Sequence, residues 1–183
     1  MEIVSQRLAY RGVRIRKHSE SWFGRLLARI AYWLFKADYP SPTDQYGWVI
    51  CQTIGSTIWV PVNWDVFDPA LKFELLLHEE AHTFQFERCG LGSMTFGILI
   101  MGFAYICLLP TVWTLRSRFE REAYYQSMRA RFLMGLGVSE GFFRHMVKVF
   151  TGPGYVWMWP FPKKVDKWFL RKAIQANKEA TIP

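Results

Sequence analysis

Apolar residues recur at helical or strand-like spacing along most of the first half of the chain. Residues 21–35 carry them at intervals of three and four, with arginines on the other side, which predicts an amphipathic helix. Such a helix can lie on a membrane surface or pack against a core. Residues 1–20 are basic and weakly patterned and predict a strand or an extended arm. Residues 48–62 are rich in β-branched and aromatic residues and broken by Gly55, which predicts two short strands or one bent strand.

A longer helix is predicted to begin after Asp68, because Asp is a good N-cap and Pro69 suits the first helical position. It should end at Gly90. Its apolar residues surround most of its circumference, which is typical of a helix buried between other elements. Further helices are predicted in the second half of the chain, at residues 116–134 and 140–150 and in a basic segment that starts at Lys163.

These elements predict one α+β domain. The chain has 183 residues, enough for one domain with a sizeable core. We expect a small N-terminal antiparallel sheet packed on the helix at residues 68–90, and a mostly helical second half. We expect the N-terminal helix and strands in residues 1–67 and the central helix in residues 68–90. Residues 91–115 should form an apolar hairpin, and residues 116–183 should form the helical remainder.

The composition excludes several classes of protein. Hydrophobic residues make up 51% of the chain and aromatic residues 17%, which excludes a disordered or collagen-like chain. The net charge of +8 and nine tryptophans are compatible with an anionic membrane surface or with nucleic acid as a partner. We find no recognition-helix or stacking motif, so no specific nucleic acid is expected. The sequence does not indicate an oligomeric state.

The cysteines and the N-terminal residues indicate the cellular compartment of the protein. Cys51, Cys89 and Cys107 are odd in number and widely spaced, which argues against a disulfide framework and a thiolate zinc site. A reducing compartment fits this pattern. Residues 1–17 are polar and basic, unlike a signal peptide. We therefore expect the protein in the cytoplasm or peripheral to the cytoplasmic face of the membrane.

The central helix carries a pattern of metal-ligating side chains. Residues 78–82 read His-Glu-Glu-Ala-His, and they contain half of the chain's four histidines. Because four residues are close to one helical turn, both imidazoles leave the same face and can bind one metal ion. Zinc accepts nitrogen and oxygen ligands, and catalytic zinc sites keep one position for water. Glu79 lies about 100° around the helix from His78 and is the candidate general base.

A third ligand is expected from a carboxylate on a later helix, where Glu120 and Glu122 are available. On a helix these residues point about 200° apart, so only one of them can reach the metal ion. Glu120 shares a helix face with Tyr124 and Ser127, whereas Glu122 lies closer to Arg129. From the spacing alone, both carboxylates stay candidates.

Together, the His-Glu-x-x-His motif and the Glu-x-Glu-Ala sequence at residues 120–123 resemble the gluzincin branch of the zincin metallopeptidases. The resemblance covers residues 75–88 and 117–126. It implies a zincin-like fold and zinc as the cofactor. The family places its ligand glutamate three residues before an alanine, which implies His78, His82 and Glu120 as the metal ligands.

The resemblance also implies a reaction, the hydrolysis of peptide bonds in a peptide or protein substrate. Water activated by zinc attacks the peptide carbonyl, and Glu79 accepts its proton and passes it to the leaving amine. Residues 53–61 occupy the place of the family's edge strand, which pairs with an extended substrate. Gln85 matches a His-x-x-Gln extension seen in some members. The chain departs from the pattern at Tyr124, where many gluzincins have an acidic residue that orients a ligand histidine.

The oxyanion formed in such a reaction usually needs a further donor. Tyr124, Tyr125 and His145 are the available candidates. The sequence does not rank these three donors, and Tyr124 is taken as the catalytic candidate.

The sequence from Arg88 to Arg116 contains no charged residue between these two arginines. Residues 95–114 are long enough to cross a bilayer. A single crossing would place His82 and Glu120 on opposite sides of the membrane, where they could not bind one ion. We therefore expect an apolar hairpin that packs in the core or dips into a bilayer.

The sequence thus predicts a zinc metallopeptidase that is either soluble or membrane-associated. The alternative is a non-enzymatic membrane-surface or assembly protein that retains a zincin-like core. The unusual residue at position 124 and the broad apolar segment motivate this alternative.

Overall fold

The computed structural model describes residues 2–23, 25–26, 51–106, 112–152 and 158–181. The fold is α+β and mostly helical with one small sheet, as the sequence predicts. A zincin-like arrangement of these elements stays a prediction. The helices are α1 (Glu2–Tyr10), α2 (Pro69–Cys89), α3 (Met94–Ile106), α4 (Val112–Leu133), α5 (Glu140–Thr151) and α6 (Pro162–Ala180). The strands are β1 (Arg14–Lys17), β2 (Gln52–Ile54) and β3 (Thr57–Val60).

The sheet is mixed, and the prediction of an antiparallel sheet is wrong for one of its two pairings. The strand order is β1-β3-β2, with β2 antiparallel and β1 parallel to β3. A two-residue turn at Gly55 and Ser56 joins β2 to β3 and requires the antiparallel pairing. Residues 18–56, which include β2, separate β1 from β3, a connection long enough for parallel strands. Residues 53–61, which the resemblance places as an edge strand, include parts of both β2 and β3. Only β2 lies at an edge, since β3 is the central strand of the described sheet.

The N-terminus is a helix followed by a strand, whereas the sequence predicted a strand or an arm. In α1, Val4 and Leu8 lie one turn apart and are buried in a core cluster that includes Ile58 and Leu76. The helix thus forms because tertiary packing buries its short apolar face, although its sequence pattern is weak. Of the amphipathic helix predicted at residues 21–35, only residues 21–23, 25 and 26 are described; Ser21 forms a bend and the other four are helical.

Helix α2 begins and ends where the sequence predicts. The Asp68 carboxylate accepts hydrogen bonds from the backbone N–H groups of Ala70 at 2.8 Å and Leu71 at 3.3 Å. Gly90 is its C-cap. The helix contacts α1, α3, α4 and β2, so it occupies the centre of the described fold.

One face of α2 is attached to α1 by ion pairs. Arg7 and Arg11 both contact the buried carboxylate of Glu80, and Arg11 also pairs with Glu87 at 2.8 Å. The Arg11 guanidinium lies 3.5 Å from the ring centroid of Phe84. The second glutamate of the His-Glu-Glu sequence therefore faces α1 and is not available as a base.

Helix α3 approaches α2 so closely that a side chain would not fit between them. A Cβ atom on Gly97 would lie 2.0 Å from the backbone carbonyl oxygen of Phe86. Helix α3 lies within residues 91–115, which the sequence predicts as an apolar hairpin, and the hairpin itself stays a prediction. Residues 107–111 lie outside the described residues, and α4 begins at Val112, earlier than predicted. Among the described helices, none is long and apolar enough to cross a membrane.

A second core cluster joins α4, α5 and α6. Its fully buried members include Met128 of α4, Phe150 of α5 and Phe169 of α6. This cluster holds one face of α4 in place, the face that also carries Glu120 and Tyr124. Cys51 and Cys89 are free thiols, and Cys107 lies outside the described residues.

Candidate metal centre

Two histidines of α2 and one glutamate of α4 converge in the interior. The ligand atoms of His78, His82 and Glu120 all lie within 4.8 Å of one another, and the three residues are buried. Oε2 of Glu120 is 3.8 Å from Nε2 of His78 and 3.9 Å from Nε2 of His82. This buried group could hold a metal ion.

The separations between these atoms agree with a shared cation better than with direct hydrogen bonds. Hydrogen bonds from nitrogen to oxygen are about 2.7–3.2 Å long, shorter than both distances. Ligands bound to zinc at about 2.0–2.2 Å in a tetrahedron lie about 3.4 Å apart, so a small adjustment brings all three atoms to bonding distance. The donor set of two imidazoles and one carboxylate is also a known catalytic zinc set.

Ser127 and Tyr124 of α4 hold the ring of His78. Nδ1 of His78 lies 3.2 Å from Oγ of Ser127, and the Tyr124 ring meets the imidazole edge-on with centroids 4.6 Å apart. Burial, with a smaller contribution from neighbouring His82, holds the pKa of His78 well below its ordinary value. A neutral imidazole with Nδ1 engaged leaves Nε2 as the ligand atom.

Gln85 holds the ring of His82. Its side-chain NH₂ donates to the backbone carbonyl of Phe119 at 2.9 Å and to the Glu122 carboxylate at 3.0 Å, so its oxygen faces the histidine. That oxygen accepts from Nδ1 of His82 at 2.8 Å. The amide therefore keeps the Nδ1–H form of His82, with the Nε2 lone pair directed at Glu120. The Gln85 side chain also contacts the backbone carbonyl of Phe119, the residue before Glu120, and so connects α2 with α4.

We expect Gln85→Met to lower zinc affinity by about 10–100-fold, the usual cost of losing a partner behind a ligand histidine. In the metal-free protein, ¹⁵N NMR should detect His82 protonated at Nδ1, and the variant should shift toward the Nε2–H form. Gln126→Met is the control, because that amide contacts Arg129 instead of a ligand. Unchanged zinc affinity and ring-nitrogen shifts in Gln85→Met would exclude this positioning role.

The two candidate carboxylates of α4 have different surroundings. Glu120 belongs to the buried cluster, whereas Glu122 forms an ion pair with Arg88 at 2.9 Å and is half-exposed. The spacing left both candidates open, and the geometry brings only Glu120 to the histidines.

Glu79 lies beside the cluster and outside it. The Thr53 hydroxyl of β2 donates to its carboxylate oxygen Oε2 at 2.7 Å and lies 3.2 Å from its backbone carbonyl oxygen. Burial raises the pKa of Glu79, and the charge of Glu120 raises it further. The neighbouring His82 and the Thr53 hydrogen bond act in the opposite direction. Glu79 is therefore buried close to the ligand cluster, while Thr53 holds one of its oxygens.

The three candidate oxyanion donors lie in different places. Tyr124 contacts His78 at the cluster. The Tyr125 hydroxyl donates to Glu179 of α6 at 2.7 Å, and burial together with that hydrogen bond raises its pKa to about 12. His145 is exposed on α5, and within the described residues no hydrogen bond or ion pair connects it to the cluster. The geometry therefore brings only Tyr124 to the metal ligands, and its catalytic role stays a prediction.

Comparisons with protein-family models, with curated proteins and with solved structures found no match to this chain. Its function therefore has to be inferred from its own residues.

Proposed function

We propose that this chain is a zinc-dependent metallopeptidase. The observation that supports this most directly is the buried convergence of His78, His82 and Glu120, with Glu79 adjacent and not part of the ligand set. A structural metal site uses four protein ligands, whereas three protein ligands leave a position for water. A carboxylate beside such a position is the arrangement that hydrolysis needs.

Zinc fits this ligand set better than the hard cations. Calcium and magnesium prefer oxygen ligands, and imidazole suits zinc and other transition metals. Nδ1 of His78 contacts Ser127 of α4, and Nδ1 of His82 contacts Gln85. These contacts orient both Nε2 atoms before the ion binds. We therefore name zinc as the cofactor and these three residues as its ligands.

In the proposed reaction, His78, His82 and Glu120 would hold a zinc ion, which would lower the pKa of water and polarise the peptide carbonyl. The Glu79 carboxylate accepts the proton from water and delivers it to the leaving nitrogen. Thr53 holds one Glu79 oxygen at 2.7 Å and so limits the rotation of the carboxylate. Tyr124, which packs on His78, is the proposed donor to the oxyanion.

The outer edge of β2 provides a place for an extended peptide. In a hairpin with a two-residue turn, the residues next to the turn exchange hydrogen bonds, so here Ile54 pairs with Thr57. Thr53, one residue further along, then directs its N–H and C=O away from β3. Within the described residues, β2 pairs with β3 alone. A substrate strand added at this edge would run past the residue that holds Glu79.

Metal removal tests the proposed function. We expect the purified chain to contain about one zinc ion and to hydrolyse members of a mixed library of unstructured peptides. Dialysis against a chelator should abolish the hydrolysis, and added zinc should restore it. A chain that binds no zinc, or whose hydrolysis survives chelation, contradicts the proposal.

A second candidate is a non-enzymatic membrane-surface or assembly protein that retains the metal centre as structure. The apolar residues exposed on α3 favour this alternative. It predicts stoichiometric metal with no hydrolysis of any peptide in the same library. The two candidates are therefore separated by that one assay.

A further inference from the structure

Helix α3 and the loop before it expose large apolar side chains to solvent. Leu99 is 64% exposed and Phe96 is 51% exposed. The exposed members, which we call the α3 apolar surface, are Leu91, Phe96, Ile98, Leu99 and Ile100. The sequence allowed the hairpin either to pack in the core or to dip into a bilayer, and these side chains do not pack in the core.

The exposed arc is wider than one helix face. At 100° per residue, the arc from Ile98 through Leu99 and Phe96 to Ile100 covers about 200° of α3. Gly97 and Met101 are the buried positions and face the protein. A helix bound in a protein groove presents one narrower apolar stripe. An apolar surface over more than half the circumference is better matched by lipid chains, which can cover all of its exposed sides.

The backbone at Leu91 supports the same interpretation. This residue has φ of 51° and is 90% exposed, in a left-handed conformation that glycine or asparagine usually occupies. The strained backbone places a large apolar side chain in water, where it gains nothing from packing. Insertion of Leu91 into lipid would offset this cost.

The charged residues that flank this segment in the sequence are cations, which match anionic headgroups. The last charged residue before the uncharged segment is Arg88, and the first charged residues after it are Arg116 and Arg118. The side chains of Arg88 and Arg118 are exposed, and Arg88 also forms an ion pair with Glu122. Cations close to an anionic membrane are attracted to its surface. The whole chain carries a net charge of +8, which acts in the same direction.

The uncharged segment also begins and ends on the same side of a membrane. His82 and Glu120, which precede and follow this segment, have ligand atoms within 4.8 Å of each other. Helix α3 has 13 residues and is about 20 Å long, enough to lie in the outer part of one leaflet. Ile98 packs against Gly55 in the turn that follows β2, so the apolar surface adjoins the strand that carries Thr53.

We infer that the α3 apolar surface docks this protein onto an anionic phospholipid bilayer. Leu91 and α3 enter the headgroup and upper acyl region of one leaflet, and the flanking arginines contact lipid phosphates. This inference is independent of the proposed hydrolysis, since it concerns a different surface and needs neither metal nor substrate.

Vesicle flotation of the full-length chain tests the docking. We expect the chain to float with vesicles of phosphatidylcholine and phosphatidylglycerol, and to float much less with phosphatidylcholine alone. Leu99→Asp should lower the vesicle-bound fraction about tenfold or more, because it removes one buried leucine and adds a charge. Phe96→Asp should have the same effect, which guards against a folding defect of one variant.

Leu170→Asp is the matched control, because Leu170 is a similarly exposed leucine, 54%, on α6. It should float like the unmodified chain. Equal losses in the Leu99 and Leu170 variants would overturn the assignment to α3, as would a wild-type chain that stays with the aqueous fraction. Equal binding to neutral vesicles would exclude the anionic headgroup. Lipid-free self-association that Leu99→Asp abolishes would assign the surface to a second copy of this chain.

Discussion

Glu120→Gln is expected to reduce zinc affinity by at least about 100-fold, whereas Glu122→Gln should leave it within a fewfold of the original value. Loss of a partner behind the ligands already costs about 10–100-fold, so loss of a direct ligand should cost more. The two substitutions are matched, since both replace a glutamate of α4 by its neutral isostere. Only Glu120 lies with its carboxylate oxygen 3.8–3.9 Å from both imidazole nitrogens.

Competition with a chromogenic chelator measures both affinities. In Glu122→Gln, the new amide oxygen can still accept from the Gln85 side chain, so the support behind His82 is retained in the control variant. Thermal unfolding of both metal-free variants checks that the helices remain packed. Equal zinc affinity in the two variants, or a larger loss in Glu122→Gln, would show that the ion is not held by the buried cluster.

Glu79→Gln is expected to lower kcat/KM for peptide hydrolysis by about 10²–10⁴-fold while zinc stays bound. Glutamine keeps the shape of the side chain and can still accept from Thr53, but it cannot accept a proton from water. Zinc content should be unchanged because the ligand set contains His78, His82 and Glu120 and not Glu79. This combination of retained metal and lost activity separates a base from a ligand.

Glu87→Gln is the control for the removal of a carboxylate from α2. Glu87 lies two turns further along the helix and pairs with Arg11 at the α1 interface. We expect its activity and zinc content to match those of the unmodified chain. Undiminished hydrolysis in Glu79→Gln would exclude Glu79 as the base, and loss of zinc would move it into the ligand set.

The ends of helix α2 and the common face of its two histidines were predictable from local sequence. Asp68, Pro69 and Gly90 act on the backbone within one turn, so the ends of the helix follow from the residues that occupy them. The spacing of His78 and His82 determines that both imidazoles leave one face, because helix geometry does not depend on what packs against it.

The choice between Glu120 and Glu122 needed the tertiary structure. Periodicity places the two carboxylates on different faces of α4, but it does not say which face turns to α2. That orientation follows from the second core cluster, in which Met128, Phe150 and Phe169 hold α4 against α5 and α6. The support from Thr53 to Glu79 comes from a strand 26 positions earlier, and no sequence pattern connects the two.

Sequence alone determined the α+β class, the limits of α2, and two imidazoles on a common helix face, because each depends on interactions within a turn or two of backbone. Tertiary structure decided that residues 2–10 form a helix, that β1 is parallel to β3, and that α3 exposes its apolar side chains. These features depend on contacts between segments far apart in the chain. The free energy that stabilises these features comes from packing in the assembled core. Neither segment alone therefore shows a periodic pattern that predicts them.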